Sequence, residues 1–141
     1  MKISARNALV GTVIQVTKGA VDAEVGITLK NGEKIVAIIT IGSVDTLGLR
    51  EGKSAYAVVK ASDVMIGKDV DPKRISARNV LPGTLAKVTA GAVNAEVTLR
   101  LSGGTEITSI ITNESSRSLG LKEGDPACAV FKASNVMVGI D

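Results

Sequence analysis

The fold of this chain is decided by the stretch AEVGITLKNG, which occupies residues 23–32. Apolar and polar residues alternate from Ala23 to Lys30, and a period of two places successive side chains on opposite faces of a β-strand. The dipeptide Asn31-Gly32 then predicts a tight type I′ turn. A second strand is expected from Glu33 to Ile41, so the stretch indicates a β-hairpin with one buried and one solvated face.

The hairpin occurs twice because the chain is a tandem repeat. Residues 3–67 align with residues 75–139 without a gap, and 37 of the 65 aligned positions are identical. A self-match of this length indicates two copies of one structural unit. We predict a first domain at residues 1–68 and a second at residues 75–141. Residues 69–74 are charged and contain Pro72, which predicts a linker.

Each repeat is predicted to contain four or five short strands, with one helical turn between the third and the fourth. This order favours a small Greek-key barrel of the OB type. The predicted fold class is therefore all-β, with two OB-like barrels in tandem. The four clearest strands are expected at Leu9–Val16, Ala23–Lys30, Glu33–Ile41 and Ala55–Lys60, and at Leu81–Val88, Ala95–Ser102, Thr105–Thr112 and Ala127–Lys132. The helical turns are expected at Ser43–Gly48 and Ser115–Gly120, with Ser43 as N-cap and Gly48 as C-cap.

Composition places the chain among soluble globular proteins. Hydrophobic residues make up 45%, but Tyr56 and Phe131 are the whole aromatic set. A unit of about 65 residues buries little surface alone, so we expect a homo-oligomer to add burial. No apolar run approaches the roughly 18 residues of a membrane helix, and no signal peptide is recognisable. The single Cys128 fits a reducing compartment, so we expect a cytoplasmic protein without a membrane partner.

Several classes of function are disfavoured by what the chain lacks. It has no histidine, the commonest general base and transition-metal ligand. Cys128 is replaced by Tyr56 in the other repeat, which favours a core role over catalysis. We therefore expect no enzyme, no cofactor and no bare metal ion. Single-stranded nucleic acid needs aromatic platforms and a basic groove, and two aromatics with a net charge of +3 make such a partner unexpected.

Two polar clusters occur in both repeats. The first is Ser4-Ala5-Arg6-Asn7, repeated at residues 76–79, and the second is Lys60-Ala61-Ser62, repeated at residues 132–134. An arginine fork, a lysine charge and hydroxyl donors suit a tetrahedral dianion, because charge-assisted hydrogen bonds are worth about 1.5–3 kcal/mol each. The alternative is that these residues are solvated strand ends and turn caps. The turns at residues 19–21 and 91–93 are not phosphate loops, but they can offer backbone N–H groups to an anion.

Three motifs in each repeat resemble a known family. They are S-A-R-N-x-L-x-G-T, T-x-G-A-V-[DN]-A-E-V and K-A-S-[DN]-V-M-[IV]-G, and together they cover nearly the whole chain except the linker. The chain resembles the molbindin, or Mop, domain in the tandem arrangement of di-Mop molybdate-binding proteins. A regulator would add a DNA-binding domain and a transporter ATPase a P-loop domain, and neither is expected here.

The resemblance implies a homotrimer that binds molybdate or tungstate at interfaces between units, for cytoplasmic storage and homeostasis of molybdate. It also implies a second kind of site near a three-fold axis, at the turns Gly19-Ala20-Val21 and Gly91-Ala92-Val93. Glu114 replaces Gly42 in the second repeat, so the two interface sites are expected to differ in affinity. The implied interface-site residues are Ser4, Arg6, Lys60 and Ser62 with Thr40 and Ser43 from a neighbouring unit, and Ser76, Arg78, Lys132 and Ser134 with Thr112 and Ser115.

The selectivity of such a site among anions follows from its cationic side chains, which donate hydrogen bonds but cannot accept them. Molybdate and tungstate carry no proton at neutral pH, whereas phosphate carries at least one and needs an acceptor that Arg and Lys lack. Sulfate has the same charge and is smaller, so only a fitted cavity excludes it. The affinity is expected to be flat from about pH 6 to 8. A structural oligomerisation module or a single-stranded nucleic-acid-binding module is the alternative. For the structural module, Arg6→Ala or Lys60→Ala would leave assembly and all binding unchanged.

Overall fold

The computed structural model describes residues 1–141 and contains ten β-strands and two short α-helices. The predicted all-β class is confirmed. Contacts divide the chain into two compact units. Unit 1 consists of Met1–Val59 and Lys132–Asp141, and unit 2 consists of Lys60–Phe131.

Each unit is one antiparallel five-stranded sheet. The elements of unit 1 are β1 (Asn7–Lys18), β2 (Asp22–Leu29), β3 (Lys34–Thr40), α1 (Ile41–Leu47), β4 (Ser54–Val59) and β10 (Met137–Gly139). Those of unit 2 are β5 (Met65–Gly67), β6 (Asn79–Ala90), β7 (Asn94–Leu101), β8 (Glu106–Thr112), α2 (Asn113–Leu119) and β9 (Pro126–Phe131). The strand order is β10-β4-β1-β2-β3 in unit 1 and β5-β9-β6-β7-β8 in unit 2. The two edge strands of each sheet contact each other without a hydrogen-bonded ladder, so the sheet curls into a half-barrel.

Each sheet is completed by the last strand of the other repeat. In unit 1, β10 pairs with β4, so that Met137 lies opposite Val58. In unit 2, β5 pairs with β9, so that Met65 lies opposite Val130. The compact units therefore have different boundaries from the sequence repeats at residues 1–68 and 75–141, because the repeats exchange their terminal strands.

The core follows the alternation that was read from the sequence. Ala23, Val25, Ile27 and Leu29 of β2 are buried, as are the corresponding four residues of β7. Branched aliphatic side chains and alanines fill most of the interior, and Phe131 is the only buried aromatic residue. The predicted strands are confirmed to within one or two residues at most ends, since burial on one face enforces the register of a strand.

The hairpin turn differs from the predicted type I′. The Gly32 N–H donates to the Leu29 carbonyl at 2.9 Å, and the Leu29 N–H donates to the Glu33 carbonyl at 2.7 Å. Gly32 has a φ of 98°, whereas Asn31 is not among the residues with positive φ. A type I′ turn needs positive φ at both central residues, so this is a three-residue loop whose glycine forms a G1 bulge. Gly104 repeats the geometry with a φ of 94°.

The helical turn begins earlier than predicted. Thr40, not Ser43, is the N-cap of α1, because its Oγ1 accepts the Ser43 N–H at 3.1 Å. Thr112 caps α2 in the same way at 3.0 Å. The Gly48 C-cap is confirmed, with a φ of 59° in the left-handed region that glycine adopts without strain. Each cap threonine is also the last residue of a strand, so strand and helix follow each other directly.

Candidate functional site

The repeated pentapeptide Ile-Ser-Ala-Arg-Asn divides into a buried and an exposed part. Asn7 is only 2% exposed, and its Nδ2 donates to the Val59 carbonyl at 3.2 Å. Asn79 is 1% exposed at the equivalent position. The asparagine therefore belongs to the core of each unit, whereas Ser4 and Arg6 are exposed.

The Lys-Ala-Ser cluster forms a single 3₁₀ turn directly after a strand. Lys60 is the N-cap of the turn Ala61–Asp63, and Lys132 is the N-cap of the turn Ala133–Asn135. The alanine of each turn is buried and anchors it. The lysine and serine side chains on either side are exposed and can meet a solute.

The structure sorts the predicted interface-site residues by unit. The turn Ala133–Asn135 contacts β3, and the turn Ala61–Asp63 contacts β8. Each compact unit contains one arginine, one lysine and four hydroxyl side chains of the predicted set. Unit 1 holds Ser4, Arg6, Thr40, Ser43, Lys132 and Ser134, and unit 2 holds Ser76, Arg78, Thr112, Ser115, Lys60 and Ser62. The grouping of Lys60 and Ser62 with Ser4 and Arg6 in one binding site stays a prediction.

The two hydroxyl pairs are already hydrogen-bonded within each cap. Thr40 Oγ1 donates to Ser43 Oγ at 2.9 Å, and Thr112 Oγ1 donates to Ser115 Oγ at 2.8 Å. In this arrangement the serine hydroxyl accepts and keeps its own proton for another acceptor. The same residues thus cap the helix and present one donor to the surface.

The turns at residues 19–21 and 91–93 offer fewer donors than their sequence predicts. The Gly19 N–H donates to the Asp22 carbonyl at 2.8 Å, and the Gly91 N–H donates to the Asn94 carbonyl at 2.7 Å. These two groups are therefore used within the turns. Val21 and Val93 are 75% and 72% exposed, so each turn projects an apolar side chain. The N–H groups of Ala20 and Ala92 make no backbone hydrogen bond in the turns.

Asn113 is a residue that sequence reasoning did not select. Its Nδ2 donates to the Gly91 carbonyl at 2.9 Å, and its backbone N–H donates to the Val93 carbonyl at 2.9 Å. In the other repeat Ile41 makes only the backbone bond, to the Val21 carbonyl at 3.2 Å. The replacement of Ile41 by a polar residue was the available signal. The turn at residues 91–93 therefore has one more hydrogen bond to the start of the helix than the turn at residues 19–21.

Titratable groups outside these segments show two local effects. Burial raises the pKa of the Cys128 thiol, and the negative charge of Asp69 raises it further. A thiol kept protonated is a poor nucleophile. The hydrogen bond from Tyr56 to Asp141 raises the pKa of the tyrosine. No group of three or more His, Cys, Asp or Glu residues is placed to hold a metal ion, and neither helix is long enough to span a membrane.

Two half-barrels with exposed, repeated cationic and hydroxyl segments define a tandem pair of small all-β domains. The TOBE domain family matches residues 3–66 and 75–138, and the chain belongs to this family. The matched ranges follow the sequence repeats, so each family domain contributes its last strand to the opposite compact unit.

Relatives share sequence over the whole chain or over one repeat. The chain is 46% identical over 140 residues to the molybdenum-pterin-binding protein MopA of Rhodobacter capsulatus, covering 99% of the chain and 53% of MopA. It is 52% identical over 66 residues to molybdenum-pterin-binding protein 2 of Clostridium pasteurianum, covering 47% of the chain and 97% of that protein. The chain spans about half the length of MopA and the other long curated relatives it matches.

A solved structure is similar along its full length. It is a crystal structure of the cytoplasmic molybdate-binding protein ModG with molybdate bound. The TM-score is 0.94 at 52% sequence identity, and the match covers 100% of both chains. The strand exchange and the half-barrels thus occur in a chain that is similar to a protein crystallised with an oxyanion.

Proposed function

We propose that this protein binds molybdate. The observation that carries the proposal is the repeated set of donors, one arginine, one lysine and four hydroxyl groups in each compact unit, all exposed except the half-buried Ser43. The names of its relatives and the molybdate bound by the similar ModG structure support the choice of anion.

The donor set fits the chemistry of a tetrahedral dianion. Two cations balance its charge, and guanidinium, ammonium and hydroxyl groups donate to its four oxygens. The arginine and the lysine cannot accept a hydrogen bond from a protonated phosphate. The lone pairs of the hydroxyl groups are the only acceptors among these side chains. Tungstate has the same charge and shape and is expected to compete.

The physiological role that we propose is storage and homeostasis of molybdate in the cytoplasm, without turnover. The anions are held at interfaces between units of a homotrimer, with a second kind of site at the turns of residues 19–21 and 91–93. The marked exposure of Val21 and Val93 supports an assembly that covers these turns.

The test is native mass spectrometry of the desalted protein, titrated in parallel with molybdate, tungstate, sulfate and phosphate. We expect a trimer that takes up several molybdate or tungstate ions and excludes the other two anions. Arg6→Ala combined with Arg78→Ala should lower molybdate uptake, while Lys30→Ala, in the hairpin loop, should not.

Two results would contradict the proposal. Equal uptake of all four anions would indicate unselective attraction to a basic surface. No uptake of any, together with an intact oligomer, would favour the structural oligomerisation module instead.

A further inference from the structure

Ser109 is the one buried polar residue that the two repeats do not share. The buried polar residues of the chain are Asn7, Asn79 and Ser109. The two asparagines occupy equivalent positions, whereas Ala37 takes the place of Ser109 in the first repeat. Ser109 is 0% exposed, and a hydroxyl group is costly to bury unless it has a hydrogen-bond partner. The partner therefore indicates the role of this serine.

The partner of Ser109 is the backbone of the segment that follows β4. Ser109 Oγ donates to the Val64 carbonyl, and Val64 is the residue that ends the turn Ala61–Asp63. Both residues are buried, so this hydrogen bond is protected from competition with water. The hydroxyl thus fixes the end of the turn to β8, the strand against which the turn packs.

The turn that Ser109 fixes presents two of the proposed anion donors. Lys60 precedes the turn, Ser62 lies within it, and both side chains are exposed. Ala61 and Val64 alternate with these donors and are buried. A hydrogen bond at Val64 therefore restrains the backbone from which both donor side chains extend.

This hydrogen bond restrains the turn without changing its shape. The φ and ψ angles are −94° and 117° at Val64, and −90° and 120° at the equivalent Val136. In each turn the valine N–H donates to the carbonyl of the alanine three residues earlier, at 3.3 and 3.2 Å. The turn Ala133–Asn135 has this geometry against β3, which carries Ala37. An alanine at position 109 is therefore compatible with the fold.

We infer that Ser109 is a positioning residue for molybdate binding, because it holds in place the turn that carries Lys60 and Ser62. The inference rests on the proposed function. Donors on a loosely held backbone must be ordered when the anion binds, and donors on a preorganised backbone avoid this loss. A single hydrogen bond of this kind corresponds to a change in affinity of about three- to tenfold. The Ser109 hydroxyl is buried and acts only through the turn.

The test begins with Ser109→Ala, which places at this position the residue that the first repeat carries. Ile27→Val is the control for stability, because it removes one buried methylene group from β2 and leaves the turn and the hydroxyl intact. Urea denaturation gives the free energy of unfolding of both variants. Amide hydrogen exchange at Asp63 and Val64 reports how firmly the turn is held.

Isothermal titration with molybdate gives the affinity of each folded variant. Ser109→Ala should lower the affinity for the anions bound at this turn about three- to tenfold and speed hydrogen exchange at Asp63 and Val64. Ile27→Val should lower stability and leave the affinity unchanged. In a background of Lys60→Met with Ser62→Ala, Ser109→Ala should cost no further affinity, because the donors that it positions are gone.

Three results would overturn this inference alone, provided that the wild-type protein binds molybdate. They are wild-type affinity in Ser109→Ala, an equal loss of affinity in Ile27→Val, and the same further loss in the background that lacks both donors. A wild-type protein that binds no molybdate would overturn the proposed function together with the inference.

Discussion

Asn7 and Val59 join the first and fourth strands of unit 1 through a buried hydrogen bond. Asn7 Nδ2 donates to the Val59 carbonyl at 3.2 Å, and the backbones of the two residues also pair in the β1–β4 ladder. Arg6 precedes this pair in sequence and Lys60 follows it. The asparagine of the repeated pentapeptide thus stabilises the strand end from which the exposed cations continue.

We predict that Asn7→Ala destabilises the protein without a direct effect on the anion donors. Loss of a buried side-chain hydrogen bond should cost about 1–3 kcal/mol of the free energy of unfolding. Urea denaturation measures this change. Ser4→Ala removes an exposed hydroxyl from the same pentapeptide and should leave the unfolding curve unchanged; equal losses in the two variants would show that Asn7 has no special structural role.

Thr40 is predicted to have two separable functions. Thr40→Ala removes the N-cap of α1 and should cost about 1 kcal/mol, whereas Thr40→Ser keeps the hydroxyl and should cost much less. Thermal unfolding gives the first comparison and molybdate titration the second. If Thr40→Ala weakens molybdate binding and Thr40→Ser restores it, the hydroxyl also serves the anion. Equal stability of the alanine and serine variants would argue against the cap.

The lysines after β4 and β9 are predicted to bind the anion and not to stabilise the fold. Lys60→Met with Lys132→Met should lower molybdate affinity about tenfold or more, since each removes a charge-assisted hydrogen bond. The melting temperature should stay within experimental error, because both side chains are exposed. Lys30→Met is the control for net charge. An unchanged affinity in the double variant would remove these lysines from the site.

Cys128 is predicted to react slowly with alkylating reagents. Its pKa is raised first by burial and then by Asp69, so the thiolate fraction at pH 8 is smaller than that of an ordinary thiol. Asp69→Asn removes the charge and should speed alkylation about twofold. Asn also tolerates the φ of 54° that Asp69 adopts. The urea-unfolded protein supplies the reference rate, and native alkylation as fast as this reference would refute the prediction.

The exchanged strands predict which fragment folds. Residues 60–131 contain all five strands of unit 2, whereas residues 75–141 lack β5 and carry β10 without its partner. The fragment 60–131 should therefore show a cooperative urea transition followed by circular dichroism, although a small unit has limited stability. The fragment 75–141 should remain unfolded or associate through its unpaired strand. Cooperative monomeric folding of only the second fragment would refute the exchange.

The sequence by itself determined the local elements of this protein. The alternation in residues 23–30 identifies β2, because burying one face requires a period of two. The self-match identifies two copies, and the donor-rich clusters identify the candidate site residues. The hairpin and the helical turn were also predictable. Their details were not, because Asn31-Gly32 suits more than one turn type and Thr40 could end a strand or begin a helix.

Only the tertiary structure decided which repeat completes which sheet. The three-residue strands β5 and β10 are too short to be recognised by periodicity, and their partners lie far away in the chain. Pairing of β10 with β4 and of β5 with β9 gives each compact unit one strand from the other repeat. The boundaries of each unit therefore depend on non-local strand pairing, which is decided by the burial of whole strands.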